Sequence, residues 1–271
     1  MSIKSILVSA AKTIVPGMYW GRKMRHFKQH FSEVEMKLLP YMCKKNKTSI
    51  DIGAAGGVFI ANMMDVSEKV IGFEPIPDDA ALLKTMMKAI NANVTIECVA
   101  LSDKSGEATM RMIANDLGRS TIEESNILDD NTGSEKRSIK VPIRKLDDFN
   151  YNNIGFIKID VEGHELAVLR GATETIKRNL PTFLIEIEDR HKDNAVADVP
   201  AFLKQFGYET FFVLDGKILP IREFNKAIHQ DSNNIGTYQD GYQRKGVYIN
   251  NFIFIPSTEV NAFMEATKSV Y

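Results

Sequence analysis

Two groups of residues have the types and spacing to do chemistry. The first is the run Ser49-Ile50-Asp51-Ile52-Gly53-Ala54-Ala55-Gly56-Gly57, together with Glu74-Pro75, which closes a second apolar run, Val70-Ile71-Gly72-Phe73. A buried strand ending in glycines lets backbone N–H groups approach a cofactor, and an acid ending the next strand can accept the two hydroxyls of a ribose. The loop departs from Gly-x-Gly-x-x-Gly, because Ala55 stands two after Gly53; it reads Asp-x-Gly-x-x-Gly from Asp51 to Gly56. An acid there would repel a pyrophosphate but could support the ammonium of a methionine moiety, which favours S-adenosylmethionine over a nicotinamide dinucleotide.

The second group is Phe156 to Glu165, where an apolar strand delivers Asp160 at its carboxyl end and Gly163 permits a turn that carries Glu162 and His164 to the same edge. His164 titrates near neutrality, and Asp160 or Glu162 could accept a proton if burial raised their pKa values. The candidate catalytic residues are therefore Asp160, Glu162 and His164, with Asp160 also a candidate to orient the cofactor. Lys158, in a buried strand, needs a carboxylate partner and reads as half of a structural ion pair. Glu186, Glu188 and His191 end the following strand and are candidate acceptor contacts. The spacing of Asp160, Glu188 and His191 does not compel a metal site, and no metal is expected. Val99 and Ala100, ahead of Ser102-Asp103, stand where an adenine would lie if Glu74 held the ribose.

These residues need a scaffold that brings strand ends together. From Thr48 short apolar runs alternate with helical stretches: strands at 48–52, 69–74, 94–99, 155–160 and 183–188, and helices at 57–64, 78–91 and 165–179. That alternation implies βαβ units and a parallel sheet covered on both faces. Segments 108–113 and 139–143 read as paired strands around a polar insertion, 115–137, expected to be a mobile loop. A helix at 200–206, a strand at 209–214, a turn at Asp215-Gly216 and an apolar strand at 248–255 complete about seven strands, the last antiparallel. Residues 1–45 read as a helical cap that stops near Pro40, ahead of one domain over 46–271.

Composition sets the remaining bounds. With 44% hydrophobic and 25% charged residues the chain is an ordinary globular protein, and a net charge of -1 argues against nucleic acid as a partner. Charge is uneven: Lys4, Lys12, Arg22, Lys23, Arg25 and Lys28 precede the first acid, Glu33, so weak surface association through this arm is conceivable beside the plainer reading of a solvated helix face. Cys43 and Cys98 lack metal-ligand spacing and fit a reducing compartment. Residues 3–15 read poorly as a signal peptide, and no run approaches the roughly 20 apolar residues of a membrane span. A cytoplasmic location is expected.

Taken together, DIGAAGG, Phe73-Glu74-Pro75, the ALSD segment with Gly106, Asn115-x-x-Gly118-x-Ser120-Thr121, VPIRKLDDF and above all IKIDVEGHELAVLRGA resemble the FkbM family of S-adenosylmethionine-dependent methyltransferases, over about 48–191. The resemblance implies a Rossmann-like class I methyltransferase fold and a cofactor site at Asp51, Gly53, Ala54, Gly56, Glu74, Pro75, Val99, Ala100 and Asp160. It implies methylation of hydroxyls on sugars, glycolipids or polyketides, with Ser120 and Thr121 on an acceptor-side lid. Other members carry alanine or tyrosine at the position of His164, so the base stays open among the three candidates. The acceptor would be a small molecule or glycan, with Tyr238, Tyr242 and Arg244 available to stack on it or clamp it. Two rival readings are a nicotinamide-dependent sugar-nucleotide oxidoreductase and a non-catalytic binding module. The first would need Gly-x-Gly-x-x-Gly and a Tyr-x-x-x-Lys pair, which the chain lacks where they are needed.

Overall fold

The computed structural model describes residues 11–30, 33–113, 116–126, 128, 135–235 and 245–271, without the side chains of 116–119. Along the chain, α1 (Pro16–Gln29) and the short α2 (Leu39–Met42) precede β1 (Thr48–Ile52), α3 (Val58–Met63), β2 (Lys69–Phe73), α4 (Pro77–Ala89) and β3 (Val94–Glu97). Next come β4 (Ala100–Leu101), β5 (Gly106–Ile113), β6 (Asp116–Thr121) and β7 (Lys136–Arg144), then β8 (Ile154–Ile159), α5 (Glu165–Arg170), α6 (Thr173–Asn179) and β9 (Thr182–Glu186). The chain closes with α7 (Ala195–Lys204), β10 (Tyr208–Leu214), β11 (Lys217–Pro220), β12 (Asn251–Pro256) and α8 (Val260–Thr267).

The main sheet has the order β11-β10-β12-β9-β8-β1-β2-β3. Its strands β9, β8, β1, β2 and β3 run parallel, while β12 is antiparallel to both β9 and β10. Every residue of β8 is buried, as expected of a strand covered on both faces. Ile50, Ile52, Ile157 and Ile159 pack with Val168, Leu169 and Ile176 of α5 and α6 and with Val199 and Leu203 of α7. The opposite face meets Phe59 and Ile60 of α3, Leu83 and Met86 of α4, and Trp20 and Met24 of α1. The chain winds outward from β1 through β2 and β3, then returns to β8 and continues the other way through β9. The direction of winding thus reverses between β1 and β8, which opens a crevice at their carboxyl ends.

Several expectations need correction, among them the helix expected at 200–206, which begins at Ala195 and takes Pro200 into its interior. The main sheet has eight strands, not about seven, since the hairpin after Asp215-Gly216 adds β11 as an edge. The expected loop 115–137 contains β6, which pairs with β5 and completes a separate four-stranded sheet, β4-β7-β5-β6. The helix expected over 165–179 is two helices, because a Cβ at Gly171 would lie 1.9 Å from the Ser102 carbonyl oxygen, and this close approach coincides with the break. Pro40 does not stop a helix but sits in the first turn of α2, where its missing N–H costs nothing. Asn115, Tyr238, Tyr242 and Arg244 lie outside the described residues.

Candidate active site

The crevice begins where β1 ends. Gly53 has φ +85°, its N–H and that of Ala54 both donate to the Phe73 carbonyl at 3.0 Å, and Asp160 N–H donates to the Ile52 carbonyl at 2.9 Å. A Cβ on Gly53 would stand 1.9 Å from the Asp160 carbonyl oxygen, so the glycine is what lets the ends of β1 and β8 lie together. Gly56 differs: its φ is not positive and nothing lies within 4 Å of a Cβ built there. That leaves open space against the loop backbone, which a ligand could fill.

Glu74 follows β2 and is 4% exposed. Its Oε2 accepts from Ala55 N–H and its Oε1 from Ile76 N–H, both at 2.8 Å. Burial outweighs these two donors and pushes the carboxyl up to about 7. Each oxygen retains a further acceptor direction, enough for a vicinal diol. Asp51, one turn of the pleat before Gly53, is 2% exposed, and burial pushes it up to about 8. Its Oδ2 has no hydrogen-bond partner among the described residues. Across the register stands Lys158, fully buried, with Nζ 3.7 Å from Asp160 Oδ2 and 5.0 Å from the Phe59 ring centre. The lysine thus has its carboxylate partner, as its burial requires.

After β8 the backbone turns through Glu162 (φ +54°) and Gly163 (φ +100°). The strained Glu162 is held by its carbonyl, which accepts from Thr121 Oγ1 at 2.9 Å and Asn126 Nδ2 at 2.8 Å. Its carboxyl Oε2 stands 2.9 Å from His191 Nδ1, close enough for an ion pair although not aligned as a hydrogen bond. Burial raises the Glu162 carboxyl even against His191. His164 is engaged at both nitrogens, with Ser102 Oγ 2.9 Å from Nε2 and Glu123 Oε2 3.3 Å from Nδ1. Glu123 in turn accepts from Lys192 at 2.8 Å. Burial lowers the His164 pKa in spite of Glu123, so the ring is neutral at pH 7. Thr121→Val is expected to cost about 1–3 kcal/mol in urea unfolding, since it removes one donor to the Glu162 carbonyl and the acceptor for Glu123 N–H at a residue 1% exposed.

These elements enclose a cleft of about 720 Å³, its solvent-filled mouth included. Gly53, Glu74, Pro75, Val99, Ala100, Ser120, Thr121, Asp160, Glu162 and His164 all border it, as do Met110 of β5 and Ile122, just past β6. The cleft thus joins most of the residues singled out in the sequence. Asp51, Ala54 and Gly56 do not line it, the first two being buried and Gly56 exposed on the loop, and no described residue of 11–45 reaches it. Glu186, Glu188 and His191 do not line it either. Glu186 accepts from Asn250 Nδ2 at 2.6 Å, Glu188 is held by Arg190 at 2.5 and 3.0 Å and by Tyr248, and His191 backs Glu162. Sequence reasoning passed over Met110, Ile122, Glu123 and Asn126, whose roles depend on how the second sheet packs against the cleft. Among the described residues no group of three His, Cys, Asp or Glu side chains is arranged to hold a metal, and no helix is long and apolar enough to cross a membrane.

A family model described as the methyltransferase FkbM domain matches residues 51–210. Among solved structures, methyltransferase FkbM from Methylobacillus flagellatus KT superposes with a TM-score of 0.50 at 14% identity, over 85% of this chain and 50% of that one. The chain thus spans half the length of that protein. An rRNA methylase from Streptococcus thermophilus gives a TM-score of 0.45 at 13% identity, over 82% and 92% of the two chains. An O-methyltransferase from Bacillus cereus, crystallised with SAH, gives 0.44 at 11% identity, over 91% and 94%. Among functionally curated proteins none matches the chain.

Proposed function

The chain belongs to the methyltransferase FkbM domain family, and on that premise we propose that it transfers a methyl group from S-adenosylmethionine to a hydroxyl of a sugar, glycolipid or polyketide-type acceptor. The observation that carries this reading is the pairing, within one cleft, of Glu74 with Asp160 and Glu162. The residues present fit the donor: Glu74 has acceptor capacity left for a diol, Asp51 Oδ2, an orphaned buried acceptor just off the lining, would support an ammonium through a water, and Gly56 leaves room for close approach. Val99 and Ala100 would flank the adenine.

The bound donor supplies a methyl group already activated by its positive sulfur. What the protein adds is alignment of the acceptor and a place for its proton, and alignment is the larger contribution. Glu162 is our candidate for the proton. Glu162 lines the cleft, burial makes its carboxylate more basic than a free one, and His191 beside it can stabilise either charge state. His164 has both nitrogens occupied and serves to hold the wall between Ser102 and Glu123. Ser120 and Thr121 border the acceptor side of the cleft.

Calorimetry with S-adenosylmethionine and with its demethylated product tests the donor assignment, and absence of binding at millimolar ligand overturns it. Donor affinity should also depend on pH. A carboxylate accepts both hydroxyls of a diol, whereas the protonated acid, with its oxygens already taken up by two N–H groups, does so poorly. Glu74 is raised to about 7 in the free protein, so its contribution to affinity should climb by up to about tenfold per pH unit as pH rises toward about 7, and flatten above it. Glu74→Gln should remove that part of the profile and weaken binding by about 100-fold at pH 8. A variant with unchanged affinity and profile would exclude Glu74 as the ribose contact.

A further inference from the structure

The fold uses only one face of α1. Trp20 and Met24 are buried against α3 and α4, and Gly17 lies where a Cβ would stand 2.9 Å from the Ala89 carbonyl oxygen, so the helix rests against the end of α4. Lys28 ties its far end to Asp65 at 2.7 Å. The other face carries Met18, Arg22, Arg25, His26 and Gln29, spaced so that all five lie on one side of the helix, and all five are exposed. Met18 is 67% exposed, and Ile14 and Val15, just ahead of the helix, are 76% and 41% exposed. Arg22, Arg25, His26 and Gln29 line a shallow concavity, and among the described residues neither arginine has an ion pair. Lys12 and Lys23 lie over the rings of Tyr19, Trp20 and Phe27.

The charge is polarised along the chain. No acid precedes Glu33, while six of the 34 lysines and arginines do, so the remainder of the chain is net acidic. A polyanion such as duplex nucleic acid would satisfy the arginines but leave Ile14, Val15 and Met18 exposed to water. A bilayer surface takes both kinds of residue, with apolar side chains at the acyl boundary and guanidinium groups among the phosphates.

We propose that the outer face of α1, with Ile14 and Val15, docks on an anionic phospholipid bilayer. The acidic remainder of the protein is repelled by the same surface, which orients the chain with α1 toward the lipid. This face lies outside the cleft, so the proposal stands independently of the methyl-donor reading.

Flotation of the full chain with phosphatidylcholine vesicles, with and without phosphatidylglycerol, tests it. Binding is expected only to vesicles containing phosphatidylglycerol, and it should weaken as salt rises. Each arginine near an anionic surface is worth about fivefold in affinity, so Arg22→Glu with Arg25→Glu should weaken binding at least about twentyfold. Ile14→Ser with Met18→Ser should weaken it with the charge unchanged. All four positions are exposed, and an unchanged urea midpoint in both variants confirms that the fold is intact. Failure of the wild-type chain to float with phosphatidylglycerol, equal binding to phosphatidylcholine alone, insensitivity to the Ile14/Met18 pair, or tighter binding to duplex DNA would each overturn the proposal.

Discussion

Gly53→Ala is expected to destabilise the protein by about 3 kcal/mol or more and to abolish donor binding, whereas Gly56→Ala should leave stability within about 0.5 kcal/mol of the parent and still weaken the donor. At Gly53 two costs add. An alanine held at φ +85° sits in the left-handed region, at roughly 1–2 kcal/mol. Its Cβ would also lie 1.9 Å from the Asp160 carbonyl oxygen, a backbone atom that can yield only if β1 and β8 move apart. That separation would break the Asp160 N–H bond to Ile52 and displace both halves of the cleft at once. Against a domain stability of about 5–15 kcal/mol the loss is large. At Gly56 neither cost applies, because φ is ordinary and the added methyl meets no protein atom. Urea unfolding and calorimetry on the two variants separate a glycine the fold needs from one the ligand needs. Full donor affinity in Gly56→Ala would mean that the donor does not approach the loop there.

The contrast between these glycines also shows what the sequence could convey. The run from Asp51 to Gly57 marked a βα turn because β1 is an unbroken apolar strand with punctuation at its end, and local pattern decides such elements. The same holds for β2 and β8, whose ends deliver Glu74 and Asp160 within a residue of expectation. β6 was not legible: Asp116 to Thr121 is polar and gains strand structure only by pairing with β5. The segment after it is held by Arg111, which bonds the carbonyls of Glu123 and Asn126 from a neighbouring strand. Nothing local in 115–137 announces that partner. Pro200 read as a helix start for the same reason. It sits inside α7, where burial of Val199 and Leu203 outweighs the missing donor. The wall that the second sheet gives the cleft is therefore a tertiary property, and Glu123 and Asn126 became visible as supports of Glu162 and His164 only once the second sheet was in place.

Lys158→Met should be the most damaging change outside the glycine loop, with a cost that depends on pH in a direction opposite to ordinary acid denaturation. Burial works against the Lys158 ammonium, but Asp160, Glu33, Glu186 and Asp51 around it outweigh burial and raise its pKa above the usual lysine value. The cation therefore stays charged and balances several carboxylates. Methionine nearly matches its volume, so little cavity is created, and the expected loss is the penalty for orphaned buried charge, about 3–5 kcal/mol at pH 8. The sign of the pH dependence follows from the acids. Asp51 is raised to about 8 in the folded chain, so the folded state binds more protons than the unfolded one between about pH 4 and 8, and stability falls as pH rises through that window. Removing Lys158, which holds Asp51 down, raises that acid further and steepens the fall. At pH 5 Asp51 is protonated and leaves less uncompensated charge, so the variant should lie closer to the parent, within about 1–2 kcal/mol; by pH 8 the gap should be at its widest. Adding Asp51→Leu removes one of the uncompensated acids and should recover part of the loss at pH 8, as expected when both members of a buried pair are replaced. A pH-independent deficit in urea unfolding, with no recovery in the double variant, would show that Lys158 contributes through packing on Phe59 and not through its charge.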